Sequence, residues 1–139
     1  MSDHPFQLRA VFDYSGDDNN IDQISAQIFS DSNWNSLEIS NSSPGFLIFV
    51  YSFLICQHTY FHANCGERGL VLAAVVVELS LHADNDWKIQ QVIVVMDATL
   101  RGGNPDQATI DYIKGRMRQC PVSVNMQEPP EYQIELRFS

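Results

Sequence analysis

The sequence is poor in cysteine, and this shortage excludes two kinds of protein. Its three cysteines, Cys56, Cys65 and Cys120, are too few and too scattered for a disulfide scaffold. Because the number is odd, at least one thiol stays unpaired within the chain. No Cys-x-x-Cys pair is present, so we expect no structural zinc site and no metal or organic cofactor.

Basic side chains are also scarce. Eight Lys and Arg residues face 17 Asp and Glu residues, which gives a formal net charge of −9. An acidic chain without a basic run does not attract a phosphate backbone or an anionic membrane. The N-terminus, Met-Ser-Asp-His-Pro, lacks the basic start and apolar run of a secretion signal. We therefore expect no nucleic-acid partner, no membrane partner and a reducing cytoplasmic location.

The longest apolar run, Phe46–Cys56, predicts a buried helix. Its eleven residues are about half of the roughly 20 that cross a bilayer. We expect a helix over about Pro44–Asn64, with Ser43 as N-cap and Gly66 and Gly69 as stop signals. Since its first half is apolar all round, that half should be enclosed on all sides. The β-branched and aromatic residues leave a strand possible, but the length favours a helix.

The remainder of the chain shows an alternating pattern in several segments. Asn104 is expected to cap a second helix that ends before Cys120. The predicted strands are Gln7–Tyr14, Ile24–Phe29, Leu37–Ile39, Leu70–His82, Trp87–Leu100 and Tyr132–Phe138. The order β-β-β-α-β-β-α-β indicates the α+β class. A single domain over 1–139 follows, with strands in 1–43, the central helix in 44–66, and strands and a helix in 70–139.

The chemistry of each cysteine depends on what lowers its pKa, because the thiolate is the reactive form. Burial in the apolar helix should raise the pKa of Cys56. Cys120 follows a basic segment, which favours the thiolate, but it lies at a helix end, where the dipole disfavours it. The sequence leaves this contest open. Cys65 should point away from Cys56, and each cysteine taken singly is best read as a small buried hydrophobic residue.

Taken as a pair, Cys56 and Cys120 resemble those of the OsmC/Ohr superfamily, the osmotically inducible and organic hydroperoxide resistance proteins. The resemblance covers about Pro44–Phe138. It consists of a central helix carrying one cysteine, Arg-Gly-Leu at 68–70, two long strands, and a helix ending in Cys-Pro-Val-Ser-Val-Asn at 120–125. The two cysteines are 64 residues apart, similar to the separation in the family.

The resemblance implies an OsmC-like fold, with antiparallel sheets around a buried central helix, in an intertwined homodimer. It also implies a thiol-dependent hydroperoxide reductase. Cys56 matches the thiol that attacks the peroxide, and Cys120 matches the thiol that resolves the resulting sulfenic acid as a disulfide. A dithiol reductant, such as a lipoyl group, would then reopen the disulfide.

Two features of the peroxidase members are missing from the expected places. These members use a glutamate near the start of the central helix and an arginine in the N-terminal sheet. The glutamate is absent from residues 43–46. Arg9, the one arginine before Arg68, lies in the first predicted strand and not in the sequence context of the family arginine. His58 and His62 are predicted to be surface or interface groups rather than bases. Two alternatives therefore stay open: a divergent OsmC-fold protein that binds a small molecule or responds to redox state, and an unrelated α+β domain with cysteines as core filler.

Overall fold

The structure, a computed structural model, describes residues 3–139 and contains one six-stranded sheet with helices on one face. The strands are β1 (His4–Ser15), β2 (Asn20–Ser30), β3 (Asn33–Ser36), β4 (Val71–Ala83), β5 (Ile89–Gly102) and β6 (Glu131–Phe138). The helices are α1 (Gly45–Glu67), α2 (Gln107–Met117) and the single-turn α3 (Pro121–Val124). The α+β class is confirmed, and so is the expected order of elements, to which the structure adds α3.

The strands lie in the order β3-β2-β1-β4-β5-β6. The neighbouring pairs are antiparallel except β5 and β6, which run parallel. A parallel pair needs a crossover connection, and the segment that contains α2 and α3 supplies it. The sheet therefore departs from the purely antiparallel arrangement that the sequence indicated.

The third strand was expected at Leu37–Ile39 but lies at Asn33–Ser36 instead. It pairs with β2 through a tight turn in which Asp31 and Ser32 both have positive φ angles, 53° and 66°. Positive φ at both central residues is the geometry of a type I′ hairpin turn. Neither residue is glycine, so the turn leaves a weak signal in the sequence.

Helix α1 begins and ends slightly differently from the prediction. Pro44 is the N-cap without a side-chain bond, while the Ser43 hydroxyl accepts a hydrogen bond from the backbone of Ser40 at 2.9 Å. The helix continues through Gly66, and the chain turns at Gly69, where φ is +75°. A glycine with positive φ just after the last turn is a common helix end.

Helix α1 packs mainly against α2 and β4. By length and composition alone it could cross a membrane, a test that core helices of soluble proteins also pass. Its buried residues share one face: Val50, Phe53, Leu54, Gln57, His58, Phe61, Asn64 and Cys65. This face covers the inner side of the sheet, where Leu8, Ala10 and Phe12 of β1 are buried.

Part of the apolar surface stays uncovered within one chain. Ile48 on α1 is 38% exposed, so the first half of this helix is not enclosed on all sides as the sequence indicated. Ile24 of β2 is 53% exposed. It pairs with buried Phe12, which places both side chains on the inner face of the sheet. The helices therefore leave the β2 end of the inner face open.

Candidate functional site

Helix α1 and the start of α3 bring two of the three cysteines together. Cys56 lies near the middle of α1 and is partly exposed, whereas Cys120 is fully buried. The pKa of Cys56 is raised to about 11, first by burial and then by a hydrogen bond with the Cys120 thiol, while the backbone N–H of Val122 lowers it. The two thiols are therefore direct neighbours, although 64 residues separate them in the sequence.

Cys120 is surrounded by hydrogen-bond donors. The sequence placed it at a helix end, and its backbone N–H does bond to Met117 O, 3.2 Å away, at the end of α2. It is also the N-cap of α3, where its sulfur accepts the backbone N–H of Ser123 at 3.4 Å. The side-chain amide of Gln57 donates to the same sulfur at 3.2 Å. Two N–H groups therefore donate to the Cys120 sulfur, although this residue follows the C-terminal end of α2. The sequence did not reveal either donor.

In the part of the chain that the structure describes, no cation is among the groups that shift the pKa of Cys56. Within residues 3–139, the groups that shift its pKa are the Cys120 thiol and the Val122 backbone, besides burial itself. Arg9 cannot serve within one chain, since it lies on the outer face of β1 and donates to the Gln27 side chain at 2.9 Å. With its pKa raised to about 11 by burial and by the Cys120 thiol, Cys56 is predominantly protonated at neutral pH.

An aromatic residue borders the cysteine pair. The Tyr132 hydroxyl lies 3.1 Å from the Ser123 hydroxyl. The guanidinium of Arg118 lies 4.4 Å from the centre of the Tyr132 ring and donates to its backbone oxygen at 2.9 Å. Burial raises the pKa of Tyr132. Arg118, the basic residue nearest to Cys120 in the sequence, is therefore engaged with Tyr132.

Cys65 belongs to a different region of α1. Its side chain is fully buried, and burial raises its pKa to about 12. It is close enough to Tyr14 of β1 to raise the pKa of that phenol as well. The prediction that Cys65 points away from Cys56 and acts as a core residue agrees with this position.

The prediction for the two histidines is wrong for His58. His58 is only 3% exposed, stacks on Phe12 with 3.5 Å between ring centres, and hydrogen-bonds the Tyr14 hydroxyl. Burial, with a contribution from His62, lowers the pKa of His58 to about 3. The prediction failed because His58 lies on the face of α1 that packs against β1. The polar residues around it in the sequence do not reveal this packing.

His62 and Asn19 continue this buried polar cluster. His62 Nε2 lies 2.6 Å from Asn19 O. The Asn19 side chain donates to Leu70 O at 3.0 Å and accepts from Leu72 N at 2.8 Å, so it pairs with the start of β4 as a strand would. Asn19 has a φ of 53°, which asparagine tolerates better than most residues. The four-residue spacing of His58 and His62 suits a metal, but among residues 3–139 no third ligand completes a site.

An apolar cavity of about 580 Å³ lies beside the first turns of α1. Phe46, Phe49 and Trp87 form its aromatic walls, and Lys88 and Glu128 supply charge at its edge. Phe49 precedes Cys56 by seven residues, so both lie on the same face of the helix, two turns apart. Neither cysteine lines the cavity, which makes it a separate feature on the same side of α1.

Comparison with known proteins identifies the fold. No protein-family model matches the chain, and no curated protein matches its sequence. Among solved structures, an OsmC-like hydroperoxide resistance protein from Jannaschia sp. CCS1 is similar, with a TM-score of 0.57 and 10% identity over 87% of this chain and 85% of that one.

An OsmC-like protein from Mycoplasma pneumoniae is also similar, with a TM-score of 0.52 and 10% identity. The match covers 96% of this chain and 95% of that one. At these identities the comparison shows a similarity of the backbone fold alone. This similarity agrees with the resemblance noted from the cysteine motif. The chain has the fold of the OsmC/Ohr superfamily.

Proposed function

We propose that this protein is a thiol-dependent hydroperoxide reductase in which Cys56 attacks the peroxide and Cys120 resolves the product. The proposal depends mainly on the proximity of the two thiols, one partly exposed and one buried. A sulfenic acid is protected from further oxidation when a second thiol lies within reach. The OsmC-like fold supports the same assignment.

In the proposed cycle, the Cys56 thiolate attacks the terminal oxygen of the hydroperoxide. The O–O bond breaks, the alkoxide leaves and takes a proton from water, and Cys56 becomes a sulfenic acid. The Cys120 thiolate then attacks the Cys56 sulfur, and hydroxide leaves and is protonated to water. A dithiol reduces the resulting disulfide and is itself oxidised.

The attacking step is the slow one in this proposal. With its pKa raised to about 11, Cys56 is a thiolate in only a small fraction of molecules at neutral pH. The reducing cytoplasm that we propose as its location would keep both thiols available between turnovers. No metal or organic cofactor takes part in these steps.

We also propose a homodimer. Ile48 of α1 and Ile24 on the inner face of β2 are exposed in the single chain, and both belong to apolar surfaces next to its core. A second copy covering them would bury these surfaces and lie close to the helix that carries Cys56.

Consumption of cumene hydroperoxide in the presence of dithiothreitol tests the enzymatic proposal. The assay compares wild type with Cys56→Ser, and Cys65→Ser serves as the matched control because Cys65 lies on the same helix away from the pair. We expect loss of the protein-dependent rate in Cys56→Ser and retention in Cys65→Ser. An equal rate for wild type and Cys56→Ser would reject the proposal.

The cavity supports a second candidate function, the binding of an apolar small molecule by a protein with little peroxidase activity. Its aromatic walls suit an apolar ligand, and Lys88 suits an acidic group on it. The dye 1-anilinonaphthalene-8-sulfonate has both properties. We expect Trp87→Ala to weaken its binding, whereas Trp34→Ala, which alters the other tryptophan, should not. Equal effects of the two variants would exclude this cavity as the binding site.

A further inference from the structure

Gln57 is a polar residue in an otherwise apolar part of the core. Its side chain is fully buried and follows Cys56 directly on α1. The amide nitrogen donates to Met117 O at 2.9 Å and to the Cys120 sulfur at 3.2 Å. Burial of an amide costs free energy unless its groups are bonded. Among residues 3–139 its Oε1 has no hydrogen-bond partner, so this side chain is retained at some cost.

The Met117 carbonyl determines which end of the amide faces Cys120. A carbonyl oxygen only accepts hydrogen bonds, so the donor nitrogen of Gln57 must face it. The same nitrogen then points to the sulfur of Cys120. The Tyr132 hydroxyl is a further neighbour of this amide. Gln57 therefore acts as a fixed N–H donor to Cys120.

The two sulfurs differ in both donors and exposure. Cys120 accepts from Gln57 Nε2 and from the Ser123 backbone N–H, and it is fully buried. Cys56 is partly exposed, and the neighbouring Cys120 thiol contributes to raising its pKa. In a disulfide between them, an external thiol would reach Cys56, and the donors would be aimed at Cys120.

We propose that Gln57 is a positioning residue that stabilises Cys120 as the leaving thiolate when a dithiol reduces the Cys56–Cys120 disulfide. This inference rests on the function proposed above. The thiolate of the dithiol attacks Cys56 Sγ, an S–S bond forms there, and the Cys56–Cys120 bond breaks with its electron pair on Cys120. The second thiolate of the reductant then releases Cys56, and the reductant leaves as a disulfide.

The test begins from the disulfide form made with diamide, which needs no peroxidase activity. Wild type, Gln57→Leu, Gln57→Met and the exposed control Gln119→Leu are oxidised, and reduction by dithiothreitol is followed at pH 7.5. We expect reduction to slow at least fivefold in both Gln57 variants and to stay unchanged in Gln119→Leu. With the monothiol 2-mercaptoethanol, the mixed disulfide should be found on Cys56.

The direction of the effect separates this role from a merely structural one. A loosened core would expose the disulfide and accelerate its reduction, whereas loss of the donor slows departure of Cys120. Rates within twofold of wild type in both Gln57 variants, faster reduction, or a mixed disulfide on Cys120 would overturn the inference. Failure of diamide to link the two cysteines in wild type would overturn both this inference and the proposed function. Loss of peroxidase activity alone would affect only the latter.

Discussion

At the residue scale, the reactivity of Cys56 is limited by its own surroundings. Burial and the Cys120 thiol raise its pKa to about 11, and among residues 3–139 the one opposing group is the backbone N–H of Val122. At pH values below its pKa, the thiolate fraction of such a group increases about tenfold for each unit by which the pH is raised. The reactivity of this cysteine should therefore be governed by pH throughout the usual assay range.

We expect the alkylation rate of Cys56 by iodoacetamide to rise about tenfold per pH unit between pH 7 and 9.5, as for any thiol titrating well above this range. Peptide mass spectrometry reports the rate at this residue. In Cys120→Ala the rate at pH 8 should increase, because the hydrogen bond that raises the Cys56 pKa is removed. A plateau below pH 8 in wild type would contradict this account.

His58 makes a second residue-scale prediction, on acid stability. Its pKa is lowered to about 3 by burial and by His62, so it stays neutral in the folded protein below pH 6.5, where the unfolded chain takes up a proton. The free energy of unfolding should therefore fall as the pH drops from 6.5 toward 3, by at most about 1.4 kcal/mol per pH unit from this group.

Urea unfolding between pH 4 and 7 measures this dependence. The slope should decrease in His58→Gln, which cannot be protonated in this range, and persist in His4→Gln. An unchanged slope in His58→Gln would show that other groups cause the acid lability.

At the element scale, the sequence located the elements well and their ends less well. The run Phe46–Cys56 was sufficient to predict α1, and the alternation in β4, β5 and β6 was sufficient for those strands. The N-caps of α1 and α2 were misassigned, because several residues near the start of each helix could act as the N-cap. The parallel placement of β6 depends on where α2 packs, which local patterns do not encode.

The start of α2 gives the third prediction. The sequence indicated Asn104 as the cap, but the Asp106 side chain accepts the Thr109 N–H at 2.8 Å. We expect Asp106→Ala to lower the free energy of unfolding by about 1 kcal/mol, the usual value of an N-cap. Asn104→Ala, whose side chain is exposed, should have little effect in the same urea titration. The reverse order of the two variants would contradict the capping assignment.

At the scale of the whole molecule, the uncovered apolar surfaces lead to the prediction of a dimer. Sedimentation velocity at several concentrations should give twice the mass of the chain. Ile24→Asp and Ile48→Asp should each shift the protein toward the monomer, because a charge in an apolar interface is costly. Thr99→Asp, on the outer face of the sheet, is the control. A monomer at every concentration in wild type would refute the proposed dimer.

The candidate site was partly visible in the sequence. The motif at 120–125 and the helix cysteine suggested the pair, and the fold brings Cys56 and Cys120 close together. Gln57 escaped notice because its role depends on the side chain reaching α2 and Cys120 across the core. The cluster around His58 escaped notice for the same reason, since its partner Tyr14 lies 44 residues away.

Cys56 and Cys120 should form a disulfide when the protein meets a hydroperoxide. The direct measurement is peptide mass spectrometry after brief treatment with one equivalent of cumene hydroperoxide. Trypsin alone leaves Cys56 and Cys65 in one peptide, 10–68, so chymotrypsin must be added to separate them. We expect a cross-linked pair of peptides carrying Cys56 and Cys120, with Cys65 as a free thiol. A stable sulfinic acid on Cys56 with Cys120 still reduced would contradict it.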